Sequence, residues 1–503
     1  MNGKKNILLI TSDQQHHFTI GKFNPEIRTP NLDRLCDEGT YFDRAYTVNP
    51  TCTPTRASLI TGKYPSQHGA WTLGTKLQED VHTIGEDFSA AGYRTALVGK
   101  AHFQPLASTE KYPSLEAYPV LQDLPFWKSF DENFYGFEHV DLARNHVSEA
   151  HVGQHYALWM EEKGCANWRD YFRSPTGTLD RGKTLTWEIP EEYHYDTWIA
   201  ERTHALLQQY AEVGESFFLW ASFFDPHPDY LVPEPYASLY DPDKITLRQA
   251  APGEHEQNSP FHRLSQQEDP DTSMYRKSGF GLHGVGSHLE DPEMLRKQVA
   301  IYYGMITMMD KYIGKILDKL DALGLAENTV VVVTTDHGHF YGHHGLTAKG
   351  PFMYEDLIKV PFIARVPWQR TKGNVSHAIQ SLIDLPETFL DFCGIPLPDG
   401  TAGVSQKDVW LGAAESARDW ASCEHHHERG AIHLRTYVNL RYKITVYDHM
   451  DCGDLFDLLE DPEELHNLWD DPACAELKTQ MLYEFVFAEM RKEPKFMPRV
   501  YAA

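Results

Sequence analysis

Cys52 opens the string Cys52-Thr53-Pro54-Thr55-Arg56, whose residue types and spacing suit chemistry on an anion. Proline is tolerated in the first turn of a helix, where its missing N–H would have no partner anyway. The string therefore predicts a helix running from Thr55 to Thr61, with Cys52 near its N-terminus. Free N–H groups and the helix dipole stabilise negative charge at such a place. A plain thiol there has a lowered pKa, so a cysteine nucleophile working with a base is one reading. Arg56 is placed to hold a developing oxyanion.

Two acidic residues stand in a second telling context. Asp13, with Gln14 behind it, follows the apolar run Ile7 to Thr11. Asp336, with His337 behind it, follows Thr329 to Thr335, a run of Thr and Val. Short apolar, β-branched runs predict strands buried on both faces of an α/β sheet. Ligands in open α/β sheets bind beyond the carboxyl ends of strands, so carboxylates far apart in the chain can meet at one edge. Phe217 to Phe224 predicts a third strand, ending at Asp225-Pro226-His227. Taken singly, an Asp after a strand is more often a turn or helix cap.

The longer run from Cys52 to Thr61-Gly62-Lys63-Tyr64-Pro65 and His68-Gly69 resembles the signature of the formylglycine-dependent sulfatases. Val98-Gly99-Lys100-Ala101-His102-Phe103 is similar to that family's Gly-Lys-x-His motif. Phe224-Asp225-Pro226-His227 resembles its Pro-His element, and His343 to Lys349 the stretch ending in its sulfate-binding Lys. The Leu455-Phe456-Asp457-Leu458 to Asp461-Pro462-Glu463-Glu464 element is typical of sulfatase C-terminal subdomains, and the likeness spans Asn6 to about Asn467.

The resemblance is to bacterial arylsulfatases, with phosphonate monoester hydrolases of the alkaline phosphatase superfamily as relatives. It implies an alkaline-phosphatase-like mixed sheet sandwiched by helices, with a small C-terminal antiparallel subdomain. It implies that a formylglycine-generating maturation enzyme oxidises Cys52 to an aldehyde, whose hydrate supplies the nucleophilic hydroxyl. Asp13, Gln14, Cys52, Asp336 and His337 are then the metal ligands. Hard oxygen donors favour Ca²⁺, with Mg²⁺ or Mn²⁺ as alternatives, and the imidazole leans toward Mn²⁺. Arg56, Lys100, His102, His227 and Lys349 would gather positive charge around a sulfuryl group in transfer. In the family, the residue aligned with His102 takes a proton from the second hydroxyl and so expels sulfate. The implied reaction is hydrolysis of an aryl, choline-like or sugar sulfate. The same machinery in a phosphonate monoester or phosphodiester hydrolase is the alternative: Gln14 and His337 favour it, the Lys100-His102 motif favours sulfatase.

These residues need a scaffold, and the chain is long enough for one. Its 503 residues divide into an expected catalytic domain, 1–412, and a C-terminal subdomain, 413–503. Helices are expected from Thr29 to Leu35, from Glu293 to Leu323, and near 475–491. Short strands are expected within Arg435 to Val446 and Asp454 to Leu458. Segments 105–190 and 228–290 read as long excursions, where specificity usually resides. The tail beyond Arg491 reads as extended, with packing on a second subunit as the oligomer reading.

The net charge of −26, from 72 acidic and 46 basic side chains, works against nucleic acid and anionic membranes as partners. A small anionic ester is the expected substrate. No apolar run approaches a membrane span, and the N-terminus lacks the pattern of a signal peptide, so a cytoplasmic location is expected. Seven cysteines without Cys-x-x-Cys spacing are expected as free thiols. Gly279 to Gly284 fits a dinucleotide pattern without the flanking strand and helix, and His425-His426-His427 lacks ligand spacing, so both are set aside.

Overall fold

The computed structural model describes residues 3–501 apart from 145–148, 174–185, 249, 276–290, 429–431, 495 and 497–498. Its strands in chain order are β1 (Asn6–Ser12), β2 (Thr40–Phe42), β3 (Ala45–Tyr46), β4 (Arg94–Gly99), β5 (His139–Leu142), β6 (Phe217–Ser222), β7 (Thr329–Thr335), β8 (Ile363–Arg365), β9 (Asn374–Ser376), β10 (Gln380–Ser381), β11 (Ala421–His426), β12 (His433–Val438), β13 (Tyr442–Tyr447) and β14 (Gly453–Asp457). Eight of them form one sheet, in the order β5-β4-β6-β1-β7-β8-β2-β9.

β1 is central and parallel to β6 on one side and β7 on the other. β4 is parallel to both β5 and β6. β8 runs antiparallel to both neighbours, which makes the sheet mixed. Every residue of β1, β6 and β7 is buried, which is why these strands read as continuous apolar runs. Alternate side chains feed opposite layers. Leu8 and Ile10 pack in one core with the helices Tyr195–Val213 and Pro292–Ala322. Ile7 and Leu9 pack in the other, with Cys52–Thr61 and Leu385–Cys393.

The helix expected from Thr29 starts at Pro30 and runs to Glu38, but Thr29 does not cap it with its side chain. Buried Asp310 of the long helix does that work instead, accepting from Leu32 N at 2.8 Å and Asn31 N at 3.1 Å. Thr29 Oγ1 accepts from Gly21 N and donates to Asp33.

The C-terminal strands form a separate antiparallel sheet in the order β11-β12-β13-β14. The helix Ala475–Arg491 covers it, with Met481, Phe485 and Ala488 on Tyr437, Ile444 and Leu455. His425 and His426 lie in β11, and the ring of His426 sits between Trp71 and His433. No His425–His427 residue joins a metal-ligating cluster among the described residues. The Gly279–Gly284 pattern lies outside them. All seven cysteines are free, and no described helix is long and apolar enough to cross a membrane.

Candidate active site

Four parallel strands deliver the site from their carboxyl ends. Asp13 follows β1, Lys100 follows β4, His227 comes five residues after β6, and Asp336 follows β7. Backbone bonds hold three of these ends together, those of β1, β4 and β6: Asp13 N donates to Asp225 O, Phe223 N to Thr11 O and Lys100 N to Ser222 O. At Gly99, φ is +109°, and a Cβ would fall 1.9 Å from Ser222 O, so only glycine lets β4 turn Lys100 inward. Gln14 and His102 also adopt positive φ, a costly backbone state that clusters at functional sites.

The Cys52 helix starts one turn earlier than the sequence predicts. It spans Cys52–Thr61, with Thr51 at its N-cap, and is buried throughout. Asn49 fixes the entry to it: its Oδ1 accepts from both Thr51 N and Thr51 Oγ1. Thr47 Oγ1 ties the same turn to the β7 end by donating to Asp336 O at 2.6 Å.

Cys52 Sγ lies 3.2 Å from His337 Nε2 and 3.7 Å from Asp13 Oδ1, and Lys349 Nζ donates to it at 3.1 Å. Asp13, Cys52, Asp336 and His337 bring their ligand atoms within 4.8 Å of one another. Lys349 Nζ also reaches His227 Nε2 at 3.3 Å and His337 Nε2 at 3.4 Å. Lys100 Nζ pairs with Asp13 Oδ2. The chain thus brings together nearly every predicted residue.

Two of them take unexpected partners. Arg56 commits its donors to Asp336 Oδ2 (2.8 Å), Lys100 O (3.0 Å), Ser222 Oγ (2.8 Å) and Asp13 Oδ2 (3.5 Å). It braces the carboxylates, and the expected oxyanion-holding position beside residue 52 is filled by Lys349. His102 Nε2 is met by Arg144 Nη2 at 2.7 Å. Arg144 and its partner Glu116 carry no motif and were not visible in the sequence.

The electrostatics follow from burial and neighbours. Burial alone would raise the pKa of Asp13, but Lys100 above all, then His227, Arg56 and Lys349, hold it well below the usual carboxylate range. Lys349 is raised despite its burial, because Cys52 and Asp13 face it, so it stays an ammonium. Burial brings His337 down to about 4. The Cys52 thiol corrects an expectation: its pKa is raised, by burial first and Asp13 second, although it sits in a first helical turn. An unmodified thiolate nucleophile does not suit this position.

The residues fit a divalent cation. His337 Nδ1 donates to Gly338 O at 3.0 Å, which leaves the Nε2 lone pair directed at Cys52 and the carboxylates, as second-shell bonds to metal-binding histidines do. Both polar atoms of the Gln14 amide are buried without a protein hydrogen-bond partner, and its backbone N donates to Asp336 Oδ1 at 3.0 Å. Two carboxylates and an imidazole in one buried cluster, with the neighbouring Gln14 amide oxygen left without a partner, suit a hard cation.

The buried cluster lies at the carboxyl edge of a mixed, helix-covered sheet, an alkaline-phosphatase-like fold. The family described as Sulfatase matches residues 5–395, and the description N-sulphoglucosamine sulphohydrolase, C-terminal, matches residues 342–492. The chain belongs to the sulfatase family and is a sulfuric ester hydrolase. It is similar to an arylsulfatase of Clostridium perfringens, 28% identical over 484 residues that cover 92% of this chain and 90% of that one. It is 27% identical to a multifunctional alkaline phosphatase superfamily protein of Trinickia caryophylli over 510 residues, 94% of this chain and 93% of the relative. In fold it matches the phosphonate monoester hydrolase of Silicibacter pomeroyi, with a TM-score of 0.79 at 23% identity, over 97% of this chain and 96% of that one.

Proposed function

We propose that the protein hydrolyses sulfate monoesters by S–O cleavage at residue 52, after a maturation enzyme reading Cys52, Pro54 and Arg56 has converted Cys52 to formylglycine. The observation that carries this reading is the placement of Cys52 Sγ between Lys349 Nζ, at 3.1 Å, and His337 Nε2, at 3.2 Å. The hydrated aldehyde supplies a nucleophilic hydroxyl and a second hydroxyl whose deprotonation releases sulfate. Asp13, Gln14, Asp336, His337 and residue 52 would hold a divalent cation, which would supply Lewis-acid chemistry to the ester.

The chain's own groups do the rest. Lys349 sets a fixed positive charge beside residue 52, where the transferring group gains negative charge. His227 orients that ammonium: its Nδ1 donates to Pro228 O, so its Nε2 accepts from Lys349. Arg56 and Lys100 neutralise Asp336 and Asp13 and fix the carboxylates. Lys349, Arg56, Lys100, Asp13 and Asp336 are buried, which keeps water from screening them, while His227 is half-buried.

A second reading, phosphonate monoester or phosphodiester hydrolysis with the same groups, is favoured by Gln14, which takes one negative charge from the pocket relative to an acidic pair. A kinetic panel of aryl sulfate, phosphonate monoester and phosphodiester substrates separates the two. Peptide mass analysis of the same preparation should show the aldehyde or its hydrate at residue 52. Preference for the sulfate ester is expected, and full activity in protein carrying only unmodified Cys52 would sink the mechanism.

A further inference from the structure

Two carboxylates, Asp196 and Asp225, meet in the interior, and Asp225 lies two residues before His227. Asp196 lies in the first turn of the helix Tyr195–Val213, and Asp225 lies three residues after β6. With His194 they bring one ligand atom each within 4.8 Å of one another, and all three side chains are buried. Tyr195 donates its hydroxyl to Asp225 Oδ1. Asp225 Oδ2 and both carboxylate oxygens of Asp196 have no hydrogen-bond partner among the described residues.

Among the described residues, the one basic group within ion-pair distance of either carboxylate is His194, whose Nδ1 lies 3.9 Å from Asp196 Oδ2. Burial brings the pKa of that imidazole down to about 3, so it is neutral at neutral pH. Its Nδ1 lone pair accepts from Asp196 N at 3.2 Å, so the ring walls the cluster and is not free to bind. The helix N-terminus offsets only about half a charge. Burial raises the pKa of both carboxyls, and Asp225 adds to the effect at Asp196.

A buried carboxylate elsewhere closes on its own donors. Asp356, beside His343 and His344, accepts from His16 Nε2 at 2.8 Å, His343 Nδ1 at 2.7 Å and Arg248 Nη1 at 2.8 Å. At Asp196 and Asp225, one shared proton would leave a buried negative charge without a partner, which is strongly destabilising. Two protons would keep both carboxyls un-ionised at neutral pH, far above the ordinary Asp range. One divalent cation neutralises both charges and takes the open oxygens together, a common way of meeting buried charge. Carboxylate oxygens select a hard ion.

We propose that Asp196 and Asp225 bind a second hard divalent cation, Ca²⁺ or Mg²⁺, separate from the one at residue 52. It joins the helix Tyr195–Val213 to the stretch that carries His227. Asp225 O also accepts from Asp13 N at 3.1 Å, so the same cation steadies the backbone at the end of β1. The inference does not depend on which ester the enzyme cleaves.

Asp336→Ala separates the two cations, because it removes a carboxylate from the first site and leaves the second intact. Elemental analysis of Asp336→Ala protein prepared with Ca²⁺ or Mg²⁺ should find one cation per chain, against two in the wild type. Asp336→Ala combined with Asp196→Asn should hold none, and Asp225→Asn takes the place of Asp196→Asn if that variant does not fold. Terbium(III), a luminescent stand-in for Ca²⁺, gives a second readout. The Tyr195 hydroxyl bonds Asp225 and its ring lies 4.0 Å from that of His194, so it should sensitise terbium emission in Asp336→Ala protein. The emission should vanish in the double variant.

Stability supplies the third arm. A cation bound only by the folded chain raises its melting temperature by mass action. Added Ca²⁺ or Mg²⁺ should therefore raise the melting temperature of Asp336→Ala protein and leave that of the double variant unmoved. Folded Asp336→Ala protein that holds no cation and gains no thermal stability from either ion overturns the proposal, and assigns protons to the two carboxyls instead. Equal cation content in the single and double variants overturns it as well. All three arms are read on protein with unmodified Cys52, so a failure of ester turnover counts against the sulfatase reading alone.

Discussion

Arg56 Nε donates to Asp336 Oδ2 at 2.8 Å with both side chains wholly buried, so the helix carrying residue 52 is tied to the end of β7 by a charged bond out of reach of water. Breaking one side of such a pair leaves an uncompensated buried charge, which costs roughly 3–5 kcal/mol. Arg56→Met should therefore lower the unfolding free energy of the metal-free protein by that order, as read by urea denaturation. A loss below about 1 kcal/mol, the range of exposed pairs, would show the contact to be energetically idle.

The carboxylates of Asp13 and Asp336 sit with Cys52 and His337 in one buried cluster, and the amide of Gln14, next to Asp13 in the chain, is buried without a hydrogen-bond partner. A bound cation stabilises the folded state by mass action, because the unfolded chain has no such site. Chelation should abolish turnover and lower the melting temperature together, and re-addition of Ca²⁺, Mn²⁺ or Mg²⁺ should restore both. Asp336→Ala protein should carry one cation fewer per chain than the wild type by elemental analysis. Normal rates in metal-free enzyme would remove the cluster from the mechanism.

A pH effect on stability is expected from His344, away from the reaction. Burial would lower its pKa, but Asp356 and Glu254 outweigh burial and raise it to about 9. Its Nδ1 lies 2.9 Å from Glu254 Oε1, and its Nε2 lies 3.5 Å from Asp356 Oδ2. The folded pKa is above the unfolded value, so the stabilisation is complete below the unfolded pKa. It declines as pH rises and is gone above about 9. The size is roughly 3 kcal/mol from the shift at 1.36 kcal/mol per unit. Denaturation midpoints between neutral pH and pH 9 should fall in the wild type and flatten in His344→Gln. Parallel slopes in the two proteins would assign the pH dependence elsewhere.

Much of this was legible because buried strands and their ends have a plain sequence form. The runs before Asp13 and Asp336 contain no charged residue and have an unbroken aliphatic centre, so β1 and β7 and the meeting of their acidic ends could be read directly. The long helix was read within one residue at each end, from its apolar spacing. β2, β8 and β9 are three residues each and leave too little period to detect. Only the lowered pKa expected of an unmodified Cys52 thiol failed: the helix N-terminus favours a thiolate, but complete burial and Asp13 outweigh it. Arg144 was invisible because its meaning lies in a contact across the fold, with no local spacing to announce it.

Lys349 Nζ holds both Cys52 Sγ and His227 Nε2, so the two cationic-site residues act as a unit. Lys349 supplies the charge, and its raised pKa keeps it an ammonium across neutral pH. His227 supplies the lone pair that aims that ammonium, with its own ring fixed by Pro228 O. Lys349→Ala should lose ~10²–10³-fold in kcat for an aryl sulfate, the range for a preorganised donor. His227→Ala should lose less, because the ammonium remains but wanders. Once Lys349 is gone, there is nothing for His227 to aim, so the double variant should be little slower than Lys349→Ala. Residues in contact commonly show interaction energies of about 0.5–3 kcal/mol in such cycles. If the two losses multiply instead, His227 touches the ester independently of Lys349, and its role is direct proton transfer rather than orientation.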